Sequence, residues 1–447
     1  MRVAREPETA AEIPVAAAAA FVGCQLVAIG SCIGGHLRFL LALPVVLTGF
    51  VAASYAMWRI DGGRVTKWLS PVCFLFAVMG VVGLVAPATI GGIWYDAAKR
   101  AYFVLGLAAV GVFWRGGARP RQWAVAAVVV AATTLHLLTP IAVPEPDIDV
   151  WIWTRACIQA LLSGVHPYTV HAANMITGIY HLRPTAAVYP YMPLTLVAFA
   201  PGQWLLGDYR FVSALCLPAT VALNRATGGR LGLDRRFVDA STLAFLLFPR
   251  GSWLTLYGWT EPLLVALLSL FVYVAVRAPK GRGQTVAFLL LPALKQYVVA
   301  PVLLFLAINR PRVSAVAIAA TLAAASVVPF LIWDWRPTVA GVVVQMVAPQ
   351  EPRLDSLSLV ALLGRLTGLY ASRWVSVVVQ VLVAGIAYAK LKHHGLAGVL
   401  LASALALAAT FLTGWQAFTN YYYFVSEMLL LAAMLCTSPR GGATLLR

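Results

Sequence analysis

The chain has 447 residues, 61% of them hydrophobic and 11% charged, with a formal net charge of +17. That balance excludes a soluble multidomain enzyme, because so few charged side chains cannot cover its surface. The surplus of Lys and Arg does not indicate nucleic acid as a partner. The basic residues sit in short clusters between apolar runs, where retention of positive charge on the cytoplasmic side explains them.

A bilayer core about 30 Å thick takes roughly 20 apolar residues per helical crossing, and such runs follow one another along most of the chain. Uninterrupted apolar runs lack the period-two alternation of a membrane barrel, so the fold class is an all-α polytopic membrane protein. The first fifteen residues mix Arg2 and Arg5 with Glu6, Glu8 and Glu12, and the run at 14–34 is too long for a cleaved signal. It reads as a retained first span. Further spans are expected at 39–58, 67–87, 101–114 and 122–142. Arg59, Arg64 and Lys67 mark one intervening loop, and Arg115, Arg119 and Arg121 another. With both loops cytoplasmic, the N-terminus is cytoplasmic and the fifth span delivers Pro144 to the outer face. Lys99 and Arg100 are the exception, lying outside.

Parity constrains the next stretch. Asp147 belongs outside, while Arg225, Arg230, Arg235 and Arg236 belong inside, so an odd number of crossings separates them. Two apolar segments lie between, at 188–206 and 211–224. One of them therefore does not cross, and Pro190, Pro193 and Pro201 single out the first. Spans at 237–249 and 261–277 then rise and descend, with Trp253, Tyr257, Gly258 and Glu261 at the outer turn. The apolar run 284–308 lies between two basic loops and carries Pro292, Lys295, Gln296 and Tyr297 at its middle. Two half-helices turning at Leu294, Lys295 and Gln296 satisfy both charge clusters. Irregular backbone at that depth is tolerated only where it lines a cavity.

A span at 313–333 leads to a second external loop, 334–372, with Asp334, Arg336, Glu351, Arg353, Asp355 and Arg365. Spans at 374–389, 396–413 and 421–437 complete the chain, with Lys390, Lys392, His393 and His394 inside. The six Cys are scattered, without the close Cys or His partners that zinc sites use, and read as small core residues.

The stretch between Pro144 and Pro193 gathers carboxylates, histidines, aromatics and prolines. Val150, Trp153, Cys157, Ala160, Leu161 and Gly164 share one helical face, and Arg155, Gln159 and Ser163 form a polar stripe, the pattern of a helix lying along the interface. Asp147 and Asp149 stand at its N-terminus, where the helix dipole favours their ionised form. An ionised carboxylate at the water–lipid boundary suits general base work on a hydroxyl. Taken singly, Glu145, Asp147 and Asp149 are helix-start acids of a common kind.

Their company is more informative. Asp147-Ile-Asp-Val-Trp151, then Ala160-Leu-Leu-Ser-Gly164, then His166-Pro-Tyr168, then Tyr189-Pro-Tyr-Met-Pro193 follow one another in an order and spacing that resembles the GT-C fold glycosyltransferases. Among them it particularly resembles actinobacterial mannosyltransferases that use polyprenyl-phosphate mannose. Leu294-Lys295-Gln296 and Asn420-Tyr421-Tyr422-Tyr423 add weaker matches. Trp151 replaces a usual Tyr, and Met192 precedes Pro193 where Pro is frequent. Five upstream spans also stand where one is expected.

The resemblance implies a bundle of about a dozen transmembrane helices with external interfacial helices and one broken-helix hairpin. The divisions are N-terminal helices over 1–121, a catalytic module over 122–312 with its loop at 143–187, and a C-terminal module over 313–447. It implies transfer of a sugar from a polyprenyl-phosphate donor to a glycolipid or polysaccharide acceptor, with inversion, at the outer face of the plasma membrane. Mannose is the first choice of sugar and arabinofuranose the second. Asp147 would be the general base, with Asp149 beside it. The departing lipid phosphate needs positive charge, for which Lys295 and Arg353 are the candidates. His166, Tyr168, Tyr189, Tyr191, Glu261, Gln296, Asp355, Asn420 and Tyr421 are expected to bind substrate.

Lys295 in mid-span carries an insertion penalty of roughly 2.5–3.5 kcal/mol and is functional by default, the other reading being a lysine that snorkels outward; Lys295→Met is expected to impair donor use while leaving expression intact. Arg353 and Asp355 also read as a surface pair. His166, His171 and His181 have no zinc-protease spacing, so no divalent metal or other cofactor is expected. Membrane lipid, donor and acceptor are the expected partners, and nucleic acid is not. A secondary transporter or a lipid-linked-sugar transport protein is the alternative, with Glu261 and Glu427 as intramembrane acids. It predicts an internal repeat and a substrate path at the midplane.

Overall fold

The computed structural model describes residues 12–33, 38–86, 92–170, 189–279, 281–344 and 353–438. The architecture is all-α, apart from a two-residue antiparallel pairing of Ile13–Pro14 with Arg64–Val65. Seven helices among the described residues are long and apolar enough to cross a bilayer, as a helical membrane protein requires. Others that the sequence suggests as spans are shorter or more polar.

The first five helices are α1 (Val15–Cys32), α2 (Leu43–Trp58), α3 (Leu69–Val85), α4 (Gly92–Arg115) and α5 (Ala118–Ala142). Helix α4 corrects the span expected at 101–114, because it begins nine residues earlier and takes Lys99 and Arg100 into its first turns. Asp96 makes this possible. Its carboxylate lies 2.7 Å from Arg100 Nε and 3.7 Å from Lys99 Nζ, one helical turn away. Lys99 also donates to the Ala86 carbonyl and is buried.

The middle of the chain holds α6 (Asp149–Leu162), α7 (Pro193–Leu206), α8 (Arg210–Leu231), α9 (Arg235–Leu246), α10 (Gly251–Leu256) and α11 (Glu261–Arg277). Fourteen residues make α7 about 21 Å long, short of a crossing. Both its ends lie at one end of the bundle. Thr195 near its start donates to Leu294 O at 2.7 Å, and just beyond its close Arg210 grips the carbonyls of Val143 and Pro144. Helix α8 then runs to the opposite, basic end, where Arg225 and Arg121 both reach Asp239.

Next come α12 (Arg282–Leu289), α13 (Leu291–Leu294) and α14 (Val299–Asn309), a broken hairpin whose backbone is extended at Lys295, with φ −152° and ψ 125°. Helix α15 (Val313–Val339) follows, then α16 (Leu359–Thr367), α17 (Arg373–Leu391), α18 (Gly395–Thr413) and α19 (Thr419–Thr437). The loop expected to begin at 334 is instead a kink. Asp334 adopts φ −157° and ψ 112°, and the chain returns to helix through Val339 before a π-helical stretch, Ala340–Val344. Pro337 contributes by lacking the N–H that a continuous helix would use.

Helices α18 and α19 are buried along almost their whole length and form the centre. A buried polar knot ties α19 to its neighbours: Glu427 Oε1 accepts from Asn224 Nδ2 at 2.7 Å and from Ser269 Oγ at 3.3 Å. Glu427 thus cross-links α8, α11 and α19. At the basic end, His394 lies 3.6 Å from Asp61, and Arg236 donates to the Phe113 and Trp114 carbonyls. These contacts join the 59–67 loop to the 390–394 loop and the end of α4 to the start of α9.

Candidate functional site

The opposite end is assembled from six separate stretches of chain. The first is the Pro144–Asp149 segment, held by Arg210. This guanidinium is fully buried and donates to Val143 O (2.7 Å), Pro144 O (3.2 Å), Pro140 O (3.4 Å) and Leu256 O (3.1 Å). Asp208 orients it through contacts of 2.6–3.0 Å. The planar fork of Arg suits several acceptors at once, and here it fixes where α5 hands over to α6. Trp151, in the first turn of α6, lies beneath both Arg210 (5.5 Å) and Arg155 (4.9 Å). Arg210 is absent from the expected site residues, although the Asp208-Tyr-Arg210 triplet is a local signal of a self-paired Arg.

Helix α6 begins at Asp149, with Gln159 and Ser163 exposed as the polar stripe requires. Its buried face also includes Trp151, Thr154 and Ile158, where the expected face named Val150, Ala160 and Leu161. The helix is rotated toward the protein because Trp151 and Trp153 carry more apolar surface than those smaller residues. Asp147 is exposed and has no hydrogen-bond partner among the described residues. Asp149 is half-buried and its Oδ1 accepts from Val150 N–H at 2.8 Å. Burial raises the Asp149 carboxyl above the usual Asp range, and the Val150 N–H and Arg353 oppose the rise.

The second stretch is the hairpin tip. Lys295 is buried, and its ammonium lies 2.5 Å from Glu261 Oε1 at the start of α11. Three tyrosine rings stand around that ammonium: Tyr421 at 5.0 Å, Tyr191 at 5.1 Å and Tyr297 at 5.4 Å. Ring faces carry negative potential, so three of them plus a carboxylate offset the loss of water around the cation. Tyr297 OH donates to the same Glu261 oxygen at 3.3 Å. Tyr297 is a further member of the site that the expected set omitted.

The remaining stretches supply Tyr191, the 353–358 loop and the start of α19. Arg353 pairs bidentately with Asp355, at 2.8 and 2.7 Å, and lies 4.9 Å from the Phe418 ring centroid. The loop is tied to the α18–α19 turn by Leu357 N–H to Ala417 O at 2.7 Å and by Tyr422 OH to Leu357 O at 2.6 Å. Charges of Arg353 and Asp355 act on Asp149, and those of Arg353, Asp149 and Glu261 act on Tyr421. Asp149, Tyr191, Glu261, Lys295, Arg353, Asp355 and Tyr421 therefore form one neighbourhood. Asn420 is buried beside it, its Oδ1 without a partner among the described residues.

Other expected substrate-binding residues support the site from behind. His166 is buried against the α15 kink, where its Nε2 donates to Phe330 O at 3.2 Å, a carbonyl also bonded by Thr338 OH. Tyr168 OH donates to Tyr191 O at 2.6 Å. Tyr189 is fully buried, 5.9 Å from Tyr168 and 5.3 Å from Tyr191 between ring centroids. Gly341 completes this packing. A Cβ there would lie 2.5 Å from both Tyr168 Cδ1 and Tyr189 O. Gln296 Nε2 donates to Pro190 O at 2.9 Å and so anchors the tip to the Tyr191 loop. His171 and His181 lie outside the described residues.

The chemical capacity of the site follows from these parts. A carboxylate is open to solvent, a second one is held near an Arg, and a buried Lys and its Glu are walled by tyrosines. Such a set can take a proton from an arriving hydroxyl, balance a phosphate and pack against a sugar ring. Comparison of the chain with protein-family models, curated proteins and solved structures finds no match.

Proposed function

We propose that this protein is an integral membrane glycosyltransferase that moves a sugar, mannose before arabinofuranose, from a polyprenyl-phosphate donor to a hydroxyl of a cell-envelope glycolipid or polysaccharide. The observation that carries the reading is the cage of Tyr191, Tyr297 and Tyr421 around the buried Lys295–Glu261 pair, with Arg353 close enough for its charge to reach Asp149, two residues from the exposed Asp147. The order of the motifs around Asp147, His166 and Tyr189 supports it independently. With the basic loops cytoplasmic, this end faces outward.

In this reading Asp147 takes the proton of the acceptor hydroxyl as its oxygen attacks C1 of the donor sugar. The C1–O bond breaks, its electron pair leaves with the polyprenyl phosphate, and the configuration at C1 inverts. Lys295 and Arg353 balance the departing anion. Both are already paired with carboxylates, so donor binding requires the phosphate to compete with Glu261 or Asp355. The test is incubation of the purified full-length protein with polyprenyl-phosphate mannose and a membrane glycolipid acceptor. Glycosylated acceptor is expected; its absence across mannose and arabinofuranose donors would remove the reading.

A further inference from the structure

The two oxygens of Glu261 are in unequal circumstances. The residue is fully buried at the first position of α11. Oε1 receives Lys295 at 2.5 Å and Tyr297 OH at 3.3 Å, whereas Oε2 is buried and has no hydrogen-bond partner among the described residues. Native structures ordinarily satisfy such an atom with a side chain, a water or a bound group, so Oε2 has room in its hydrogen bonding for one more donor. The turn leading into α11 is built tightly enough to hold Glu261 in place. Gly258 has φ +64°, and a Cβ there would fall 1.9 Å from Tyr209 OH, so only glycine fits.

We propose that Glu261 Oε2 accepts a hydrogen bond from one hydroxyl of the transferred sugar, so that the site takes a neutral sugar bearing a free hydroxyl at that position. The proposal rests on the transferase reading above. Charge separates the sugar classes. An amino sugar would bring a second cation beside Lys295, and a uronic acid would set its carboxylate against Glu261. A hydroxyl donates one bond and adds no charge. A carboxylate acceptor for the hydroxyl and the apolar faces of Tyr191, Tyr297 and Tyr421 for the ring carbons are the complementary surfaces a neutral sugar needs. Glu261 is then a specificity-determining residue, distinct from the base and from the cations that meet the phosphate.

The experiment uses full-length protein in lipid nanodiscs and a polyprenyl-phosphate donor carrying the sugar that the wild type transfers. Each ring hydroxyl is removed in turn. One deoxy donor is expected to lose roughly 10- to 100-fold in kcat/KM with wild type, the loss that follows when a charged acceptor is left unmet. In Glu261→Gln the same deoxy donor should be discriminated several-fold less. A second measurement needs no variant: replacing that hydroxyl with fluorine, which cannot donate, should lose as much as removing it. Uniform acceptance of all deoxy donors, unchanged discrimination in Glu261→Gln, or full activity of the fluoro donor would each overturn the assignment while leaving the transferase reading in place. No transfer by wild type from any polyprenyl-phosphate sugar would instead overturn the transferase reading itself.

Discussion

Lys295 Nζ lies 2.5 Å from Glu261 Oε1, and both side chains are almost wholly shielded from solvent. Replacing Lys295 alone with Met therefore strands a buried carboxylate. The pair sets a stability cost against the expectation that Lys295→Met leaves expression intact. A cost of about 3–5 kcal/mol is expected for breaking a buried pair from one side. Lys295→Met combined with Glu261→Gln should recover most of it. Thermal unfolding of the purified variants checks the order of stabilities, and equal stability of the Lys295→Met single variant and wild type would contradict the pairing.

Asp147→Asn should leave the fold unchanged, since the residue is exposed, while turnover falls by roughly 10²- to 10⁴-fold, the usual contribution of a general base. Asp149→Asn should cost less. Steady-state transfer assays on both variants decide the assignment. Normal turnover in Asp147→Asn with loss in Asp149→Asn would move the base by two residues.

Asp149 also predicts a pH dependence. Burial raises its carboxyl above the ordinary Asp range, while Arg353 lowers it and Asp355 raises it. Below the raised pKa the side chain is neutral; above it, a negative charge stands near the phosphate position. Donor affinity is therefore expected to fall as pH rises through that pKa, and to lose this step in Asp149→Asn. Titration of donor binding in both proteins, at fixed salt, makes the comparison.

Arg210→Lys should be damaging despite keeping the charge. An ammonium cannot reach the carbonyls of Val143, Pro144 and Leu256 together. Several buried carbonyls lose their donor, a loss of about 3 kcal/mol or more when summed at 1–3 kcal/mol each. Lowered thermal stability and faster proteolysis between Val143 and Asp147 are the expected results.

The orientation is testable with single reporter cysteines at Glu145 and Gly229, both exposed and at opposite ends of the bundle. A membrane-impermeant thiol reagent added outside intact cells should label the first and spare the second. The reverse result would invert the charge-based topology.

Much of this organisation is written locally in the chain. Apolar run length set the helical membrane class, and positive clusters sorted the loops to one end, because both effects are sums over neighbouring residues. Parity with three prolines singled out 188–206, where α7 is a short helix of 14 residues, and Pro292 with Lys295 located the broken hairpin. Asp96 shows the limit of charge counting. Its ion pairs let α4 begin at Gly92, although the sequence places a loop there. The partners of the candidate site were beyond local reading. Glu261 meets Lys295 from 34 positions away, Tyr421 joins them from a distant helix, and His166 finds its use only where α15 kinks at Asp334. A side chain's spacing fixes which face of its own helix it occupies, but burial and pairing depend on what other helices bring to that face. Tertiary packing alone decided that Lys295 is caged and paired, that Asp147 is open while Asp149 is half-buried, and that one oxygen of Glu261 has no partner among the described residues.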